Sequence, residues 1–361
     1  MLIDITTASP PYKVLQSFAA EELKERMGGT SAVSRMIDMA ANQSGIDHRF
    51  FVIPDGDNKS SEKFFTKDEK HFSPDTKTRM SEYEKWATLL VINAVGELGE
   101  KNKIDFTTID RLITISCTGF FAPGLDYELI REFKISPSVK RTNIGFMGCA
   151  ASLIGVNSVW EAMKQNQNEN ILMVSVELCS LHLQTEPTRD NILANMIFAD
   201  GAAAALFSKT NTSIRPKLEI EFVESFLFEN SAKFMGWKIG NNGFEMMLSS
   251  ELPKIILNSA SPRAKEILLN KGFNISQIKH WALHPGGRAI LDSLQNGLEL
   301  SDEQLKPSRE ILKNYGNLSS VSILFVLKNI MENNLLQKDE YCCAIAFGPG
   351  LTMELVLFRI S

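Results

Sequence analysis

The 361-residue chain has no excess of basic residues: 38 Lys and Arg stand against 43 Asp and Glu, for a net charge of −5 and a pI near 5.7. Such a balance excludes a protein that coats nucleic acid, although a local group of cations could still receive a phosphate ligand. No apolar run reaches the length that spans a bilayer. The start, MLIDITTASPPYKV, has neither the basic opening nor the long apolar stretch of a secretory signal. Low-complexity tracts and heptads are absent. Histidine and cysteine are scarce, five of each, and no Cys/His spacing matches a zinc site. An odd number of cysteines in a large chain without secretory features reads as reduced thiols, so the expected setting is the cytoplasm. Cys342 and Cys343 are adjacent in the strand-like EYCCAIAF and are expected to pack in the core.

What remains is an ordinary soluble composition, 44% apolar and 22% charged, long enough for two units or one large α/β layer structure. Two segments share one layout: GFMGCAASLIGVNSVWEAMKQNQNENILMVSVELCS and NYGNLSSVSILFVLKNIMENNLLQKDEYCCAIAFGPG. Each runs from a glycine-containing turn through an apolar-periodic helix and a polar turn into a short apolar strand. Upstream, the strand RLITIS ends at Cys117-Thr118 and the strand IKHWAL ends at His284. Cys117 to Cys149 and His284 to Asn317 are nearly equal separations. The repeat predicts a duplicated α/β unit, residues 1–210 and 211–361, with the boundary in the polar SKTNTSIRPK (208–217). DGDNKSSEK (55–63) reads as a surface loop, and RMSEYEKWATLLVINAVGEL (79–98) as a long helix.

In GFMGCAAS (145–152) a cysteine follows a glycine where a strand gives way to a helix. Cys149 would sit in the first turn of that helix, where unpaired N–H groups and the macrodipole favour an anion such as a thiolate. A lone Cys on an apolar helix is more often core, and the local sequence leaves both readings open. The repeat adds to the case for a site, because strand ends and helix starts of two related halves converge where α/β folds place ligands.

His284 stands in WALHPGGRAIL, where Pro-Gly-Gly lets the backbone approach a ligand. His71 and His280 read instead as exposed or satisfied polar residues. Asn317, in NYGNLSS, has the pattern of a helix N-cap. As a functional group its amide N–H would donate to an oxygen that becomes negative. A Cys/His/Asn set suits thioester chemistry: Cys149 takes an acyl group, while His284 and Asn317 stabilise the enolate left by decarboxylation of a malonyl thioester.

GFMGCAAS, WALHPGGRAIL, NYGNLSS and AFGPGLTMELVLF resemble, in order, the four signature regions of type III polyketide synthases, the chalcone-synthase-like enzymes. DYELIREFKISPSVKR and MIFADGAAAALF extend the similarity over most of the chain. The resemblance implies a thiolase-type αβαβα fold, a homodimer, and iterative condensation of malonyl-CoA onto an acyl starter, with no metal or organic prosthetic group. It makes Cys149 the nucleophile, with His284 and Asn317 supporting decarboxylation and the oxyanion of condensation. Phe198 matches the phenylalanine between CoA tunnel and cavity, and Pro349 a residue that shapes the cyclisation cavity.

Some positions depart from the family pattern. Met246 stands for a second gatekeeper phenylalanine, and His182 for a cavity threonine of the plant enzymes. Cys117 and Thr118 align with cavity-wall positions, and Ser319 with one beside the catalytic asparagine. Of the plant CoA-binding cations only Arg35 remains in AVSRMIDMA, with Ala32 and Met39 at the other positions. Either Lys24 and Arg26 compensate, or the starter arrives on an acyl-carrier protein rather than as acyl-CoA. The leading expectation is a polyketide synthase making a small aromatic or pyrone, without nucleic-acid or membrane partners. The alternatives are a ketoacyl-ACP synthase of the initiation type and a non-catalytic thiolase-fold partner.

Overall fold

The structure is a computed structural model, and it describes residues 1–56, 64–65, 73–209, 218–333 and 336–361. Of the loop expected at 55–63 only Asp55 and Gly56 are described; His71 and residues 210–217 of the expected boundary lie outside the described residues.

The chain opens with β1 (Leu2–Ala8). The short pair β2 (Tyr12–Leu15) and β3 (His48–Phe51) brackets α1 (Gln16–Arg26) and α2 (Ser31–Gln43). The long α3 (Thr76–Asn102) extends the helix expected at 79–98 by about a turn at each end, and Asp75 caps its start by accepting from the Thr78 N–H at 2.8 Å. Then come β4 (Arg111–Ser116), α4 (Leu125–Phe133), β5 (Lys140–Gly145), α5 (Ala151–Gln165), β6 (Ile171–Leu178), α6 (Arg189–Ile197) and β7 (Asp200–Phe207). The remainder holds β8 (Leu218–Leu227), the hairpin β9 (Met235–Gly240) and β10 (Gly243–Leu248), α7 (Leu252–Ile255), α8 (Ser261–Asn270) and β11 (Ile278–Leu283). It closes with α9 (Arg288–Leu298), α10 (Asp302–Tyr315), α11 (Ser322–Asn333), β12 (Tyr341–Gly348) and β13 (Thr352–Ile360).

Strands run in the order β5-β4-β6-β7-β1 and continue as β8-β13-β12-β11, the two groups meeting at the single pairing of Leu2 with Leu218. In the first group β4 is parallel to β5 and β6, and β7 antiparallel to β6; in the second β11 is parallel to β12, and β13 antiparallel to β12. Strands buried on both faces read as unbroken apolar or small-residue runs, and ILMVSVEL and DGAAAALF are buried at every position.

Five layers follow from which face packs against what. α5 and α11 pack between the strand groups in one core with Ile113, Met173 and Ala203 on one side and Cys342, Ala344 and Val356 on the other. α11 is apolar nearly all round, as a buried helix must be. Tyr83, Leu90, Val91 and Leu98 of α3 cover the outer face of the first group, against Val174, Val176 and Ala204. α8, α9 and α10 cover the other outer face, where Leu268, Leu291 and Leu305 meet Trp281, Leu283 and Ile345. This is the layered α/β architecture expected. Cys342 faces the inner core and Cys343 the outer one, so the adjacent pair are core residues on opposite faces of β12. Gly155 of α5 touches the sheet: a Cβ there would stand 2.6 Å from Ile115 and 2.7 Å from Met173. His280 is satisfied, its Nε2 lying 2.8 Å from Glu340. Among the described residues, no helix is long and apolar enough to cross a membrane.

Candidate active site

Strand ends and helix starts from both groups converge on two adjoining cavities. Both are lined by Cys149, Phe198, Met235 and Met246. The first, here the apolar cavity, spans about 1140 Å³, part of it open to solvent, and adds Cys117, Thr118, His182, Ser319 and Pro349. The second, the histidine cavity, spans about 1030 Å³, part of it open to solvent, and adds His284, Asn317 and Arg288. Ten of the eleven residues singled out in the sequence therefore line one cavity or both. Arg35 lines neither: it is exposed on α2, its Nε donating to the Ser31 carbonyl at 3.0 Å.

Cys149 lies in the single 3-10 turn, Gly148–Ala150, that joins β5 to α5. Gly148 has φ +63°, and a Cβ on it would run into the ring of Pro349. The glycine of GFMGC is thus demanded twice, by backbone conformation and by the approach of the β12–β13 turn. Phe146, at φ +58°, points its ring at Phe244 and Phe120, with centroids 5.5 and 6.0 Å away.

Burial dominates the ionisation of the nucleophile. It pushes the Cys149 thiol up to about 12, with the Glu177 charge adding to the rise and hydrogen bonds from Ser319 and Asn317 opposing it. The Sγ lies 3.7 Å from the Ser319 Oγ. His284 is pushed down to about 3 by burial alone, and neither ring nitrogen has a hydrogen-bond partner. The sequence points to a thiolate at neutral pH; the structure instead favours a neutral thiol and a neutral imidazole. A lone charge loses more by leaving water than the short 3-10 turn returns.

Asn317 is not the N-cap of the turn that follows it; that position is Leu318, which has no side-chain cap. The Asn317 Oδ1 accepts from the Ser319 N–H at 2.9 Å, an Asx turn just before the 3-10 turn Ser319–Val321 that leads into α11. That fixes the amide so that Nδ2 faces the histidine cavity, donating to the Gly286 carbonyl at a long 3.3 Å. Its backbone is tied to the other group: the Asn317 N–H donates to Ile197 at 2.8 Å, and the Ala199 N–H donates to Asn317 at 2.9 Å. Phe198 is held between these bonds. Arg49, almost wholly buried, donates from Nη1 to the Phe198 and Asn195 carbonyls at 2.6 and 2.7 Å.

His182 is not a free base. Its Nε2 is 2.7 Å from the Thr118 carbonyl, and its Nδ1 accepts from the Phe244 N–H at 3.0 Å. Those bonds fix the tautomer with the proton on Nε2. The ring stacks on Phe244 with centroids 4.2 Å apart, and burial lowers its pKa to about 3. It braces β10 against the end of β4 and offers the cavity a ring rather than a proton.

Two groups escaped the sequence reading. Glu177 is 0% exposed and lies beneath the site. It accepts from the Cys117 N–H at 3.0 Å, from the Thr118 Oγ1 at 2.8 Å and from the Ser320 hydroxyl, and burial raises it to about 7. Its signal was present: a single charge in the otherwise uncharged ILMVSVEL. Arg288 opens α9 directly after Pro-Gly-Gly and lines the histidine cavity. Its Nε is 3.8 Å from Asp292, which is engaged at 2.6 Å by Arg309, so the guanidinium is only loosely held. Lys24 and Arg26 are both committed to carboxylates: Lys24 lies 2.6 Å from Asp38, and Arg26 lies 3.0 Å from Asp55.

Residues 219–361 match the family described as chalcone and stilbene synthases, C-terminal domain, and residues 61–224 match the FAE1/type III polyketide synthase-like family. The chain is 32% identical over 256 residues to the alpha-pyrone synthesis polyketide synthase-like protein of Mycobacterium tuberculosis. That alignment covers 70% of this chain and 65% of the mycobacterial protein, just under two thirds of its length. It is 30% identical over 253 residues to the 1,3,6,8-tetrahydroxynaphthalene synthase of Streptomyces peucetius, covering 70% of this chain and 67% of that enzyme. The crystal structure of PKS-I from the brown alga Ectocarpus siliculosus superimposes with a TM-score of 0.93 at 28% identity, over 100% of this chain and 98% of that one. Family matches over both parts of the chain and a solved neighbour along its whole length agree with the site geometry: the chain belongs to the type III polyketide synthases, the family of chalcone and stilbene synthases.

Proposed function

We propose that the chain condenses malonyl-CoA onto an acyl starter held on Cys149 and releases a small aromatic or pyrone. The observation that carries this reading is a single cysteine, Cys149, shared by two adjoining, mainly apolar cavities of which only one also holds His284 and Asn317. The apolar cavity suits the acyl chain, and the histidine cavity, with its unpartnered imidazole and amide, suits the malonyl unit.

In this reading the Cys149 sulfur attacks the starter thioester. His284 takes the thiol proton and returns it to the departing CoA sulfur. The transient thiolate–imidazolium pair is stabilised by its own attraction in the low-dielectric site, which offsets what burial takes from each charge alone. Malonyl-CoA then occupies the histidine cavity. Its carboxylate leaves as CO2, and the electron pair of the broken C–C bond becomes an enolate. Asn317 Nδ2 and the neutral His284 N–H donate to the enolate oxygen. The enolate carbon attacks the acyl carbonyl on Cys149, expelling the thiolate and leaving a chain two carbons longer on CoA. Return of that chain to Cys149 permits another cycle. Arg288, at the histidine cavity and weakly engaged, is the cation suited to a CoA phosphate. Its position supports acyl-CoA over an acyl-carrier protein as the starter's carrier. The protein is expected to act in the cytoplasm as a homodimer, with residues 1–210 and 211–361 as duplicated halves that each supply part of the site.

The experiment is incubation with malonyl-CoA and a panel of acyl-CoA starters, with CO2 release and product masses as readouts. The reading requires CO2 release that Cys149→Ala abolishes and products extended more than once. A single extension delivered to carrier protein would favour the initiation-type ketoacyl synthase, and no CO2 release would favour a non-catalytic partner.

A further inference from the structure

The apolar cavity does not end near the cysteine. Val14, Leu23, Phe51, Ile53, Leu183 and Met196 continue its lining away from Cys149 to α1 and the turn Pro54–Gly56. At that end the character changes abruptly, because the lining includes Glu22, Arg26 and Asp55. Arg26 Nη2 lies 3.0 Å from Asp55 Oδ1 and 3.4 Å from Glu22 Oε2, and its Nη1 donates to the Phe65 carbonyl at 2.6 Å. Asp55 also accepts from the N–H groups of Phe64 and Phe65, at 2.7 and 2.8 Å. The Arg26 and Asp55 side chains are only 6% and 7% exposed, so a buried ion pair forms part of the lining at this end.

Such a pair is a hard boundary for an alkyl chain. A methylene gains by leaving water for Leu23 or Phe51, but it gains little against a guanidinium already saturated by oxygen. Pushing the pair apart would separate two opposite charges in a site where water replaces little of their attraction. The other buried guanidinium of this lining, Arg49, is bonded to the Phe198 carbonyl beside the cysteine and does not close this end.

We propose that the Arg26–Asp55 pair is the stop that sets the longest starter the apolar cavity accepts, and that the starter class is an unbranched aliphatic acyl group. The proposal rests on the reading of Cys149 as the acyl-bearing residue. Arg26 is then a specificity-determining residue at the end of the cavity remote from the chemistry.

The test uses the full chain and a series of saturated acyl-CoA thioesters of increasing length. Loading of Cys149 is followed by intact-protein mass, and product formation with malonyl-CoA is followed separately. Arg26→Ala removes the guanidinium and leaves Asp55 held by the two N–H groups. Its loading cutoff should move at least two methylenes longer, each newly buried methylene being worth roughly fourfold in affinity. Starters shorter than the parent cutoff should load within about twofold of the parent rate. Arg26→Met, which keeps the apolar stem and fills the space, should move the cutoff less, and Arg26→Lys should leave it in place. If Arg26→Ala proves unstable, Arg26→Met alone carries the test. An unchanged cutoff in a stable Arg26→Ala variant (or in Arg26→Met where the alanine variant is unstable), or equal loss at every length, overturns the stop. Loading that shifts with Arg26 but is never followed by extension overturns the polyketide reading and leaves the stop standing.

Discussion

The turn before α5 and the turn before α11 are built alike. Each is a single 3-10 turn, Gly148–Ala150 and Ser319–Val321, and each contains a residue at positive φ, Gly148 at +63° and Ser319 at +50°. Each leads into one of the two inner helices and delivers a side chain to the cavities. The difference lies in what crowds them. Pro349 packs onto the first turn so closely that only glycine fits, whereas a serine is tolerated in the second. One turn presents a sulfur and the other, through the preceding Asn317, an amide. The same backbone device thus serves nucleophile and oxyanion donor, and the residue it carries decides the chemistry.

The largest effects should come from removing what each turn delivers. Cys149→Ala should abolish acyl loading while leaving the fold intact, measured by intact mass and thermal melting. Asn317→Ala should still load an acyl group but lose roughly 10²–10³ in malonyl decarboxylation, the usual penalty for one missing oxyanion donor. If CO2 release stays near normal, the bond to the Ser319 N–H is the whole role of Asn317 and the comparison fails. His284→Ala should affect both steps. At pH 7 its Cys149 should react with iodoacetamide at least about tenfold more slowly than in the parent, because no imidazole remains to take the thiol proton.

Next comes the glycine. Gly148→Ala places a Cβ against Pro349 and demands a left-handed φ, for a combined destabilisation of about 3 kcal/mol. The change should show in the urea midpoint, and Cys149 loading should fall with it. A near-neutral result would mean that the Pro349 turn yields easily.

These expectations could be framed because the site motifs are contiguous: GFMGCAAS, HPGG and NYGN each hold a turn and its functional residue in a few positions. The inner helices and buried strands were legible for a related reason, since DGAAAALF and SILFVLKN admit no solvated face. Contacts between distant segments were not legible. His182 reads only as a cavity residue in place of a threonine until Thr118 and Phe244 are seen to occupy both nitrogens. Arg26 reads as a spare cation until Asp55 is seen beside it. Neither pairing leaves a local pattern, because each depends on how remote elements pack. The neutral state of Cys149 belongs to the same class, since burial is a property of the whole fold.

The floor beneath the two turns gives a pH test. Glu177 ties the Cys117–Thr118 end of β4 to Ser320 in the second turn, and burial raises it from its ordinary value of 4.5 to about 7. The folded chain therefore holds this proton more tightly than the unfolded one. The resulting stability is fully present below pH 4.5 and is lost as pH rises through about 7, a change on the order of 3 kcal/mol. Asp200, also raised by burial, to about 6, contributes in the same sense over an overlapping window. The two are separated by comparison with Glu177→Gln. The parent should lose stability relative to that variant between pH 4.5 and 7, and the difference should level off above. A constant difference across the window would mean that Glu177 is ionised throughout.

The smallest effect sharpens the comparison most, because it isolates the backbone of the second turn. Ser319→Gly and Ser319→Ala both remove the Oγ that lies 3.7 Å from Cys149, so both should slow alkylation of the thiol by a similar factor. They differ only in what a φ of +50° requires. An alanine there keeps the Cβ penalty of the left-handed region, about 1–2 kcal/mol, while a glycine relieves it and gives back part through the greater freedom of its unfolded chain. The net preference for Ser319→Gly over Ser319→Ala should be about 1 kcal/mol, read as a higher urea midpoint at equal slope. Glycine at 319 would then make the second turn a copy of the first in backbone freedom. If alanine proves as stable as glycine, the surrounding bonds impose this φ at no cost, and the likeness between the two turns is one of shape and not of strain.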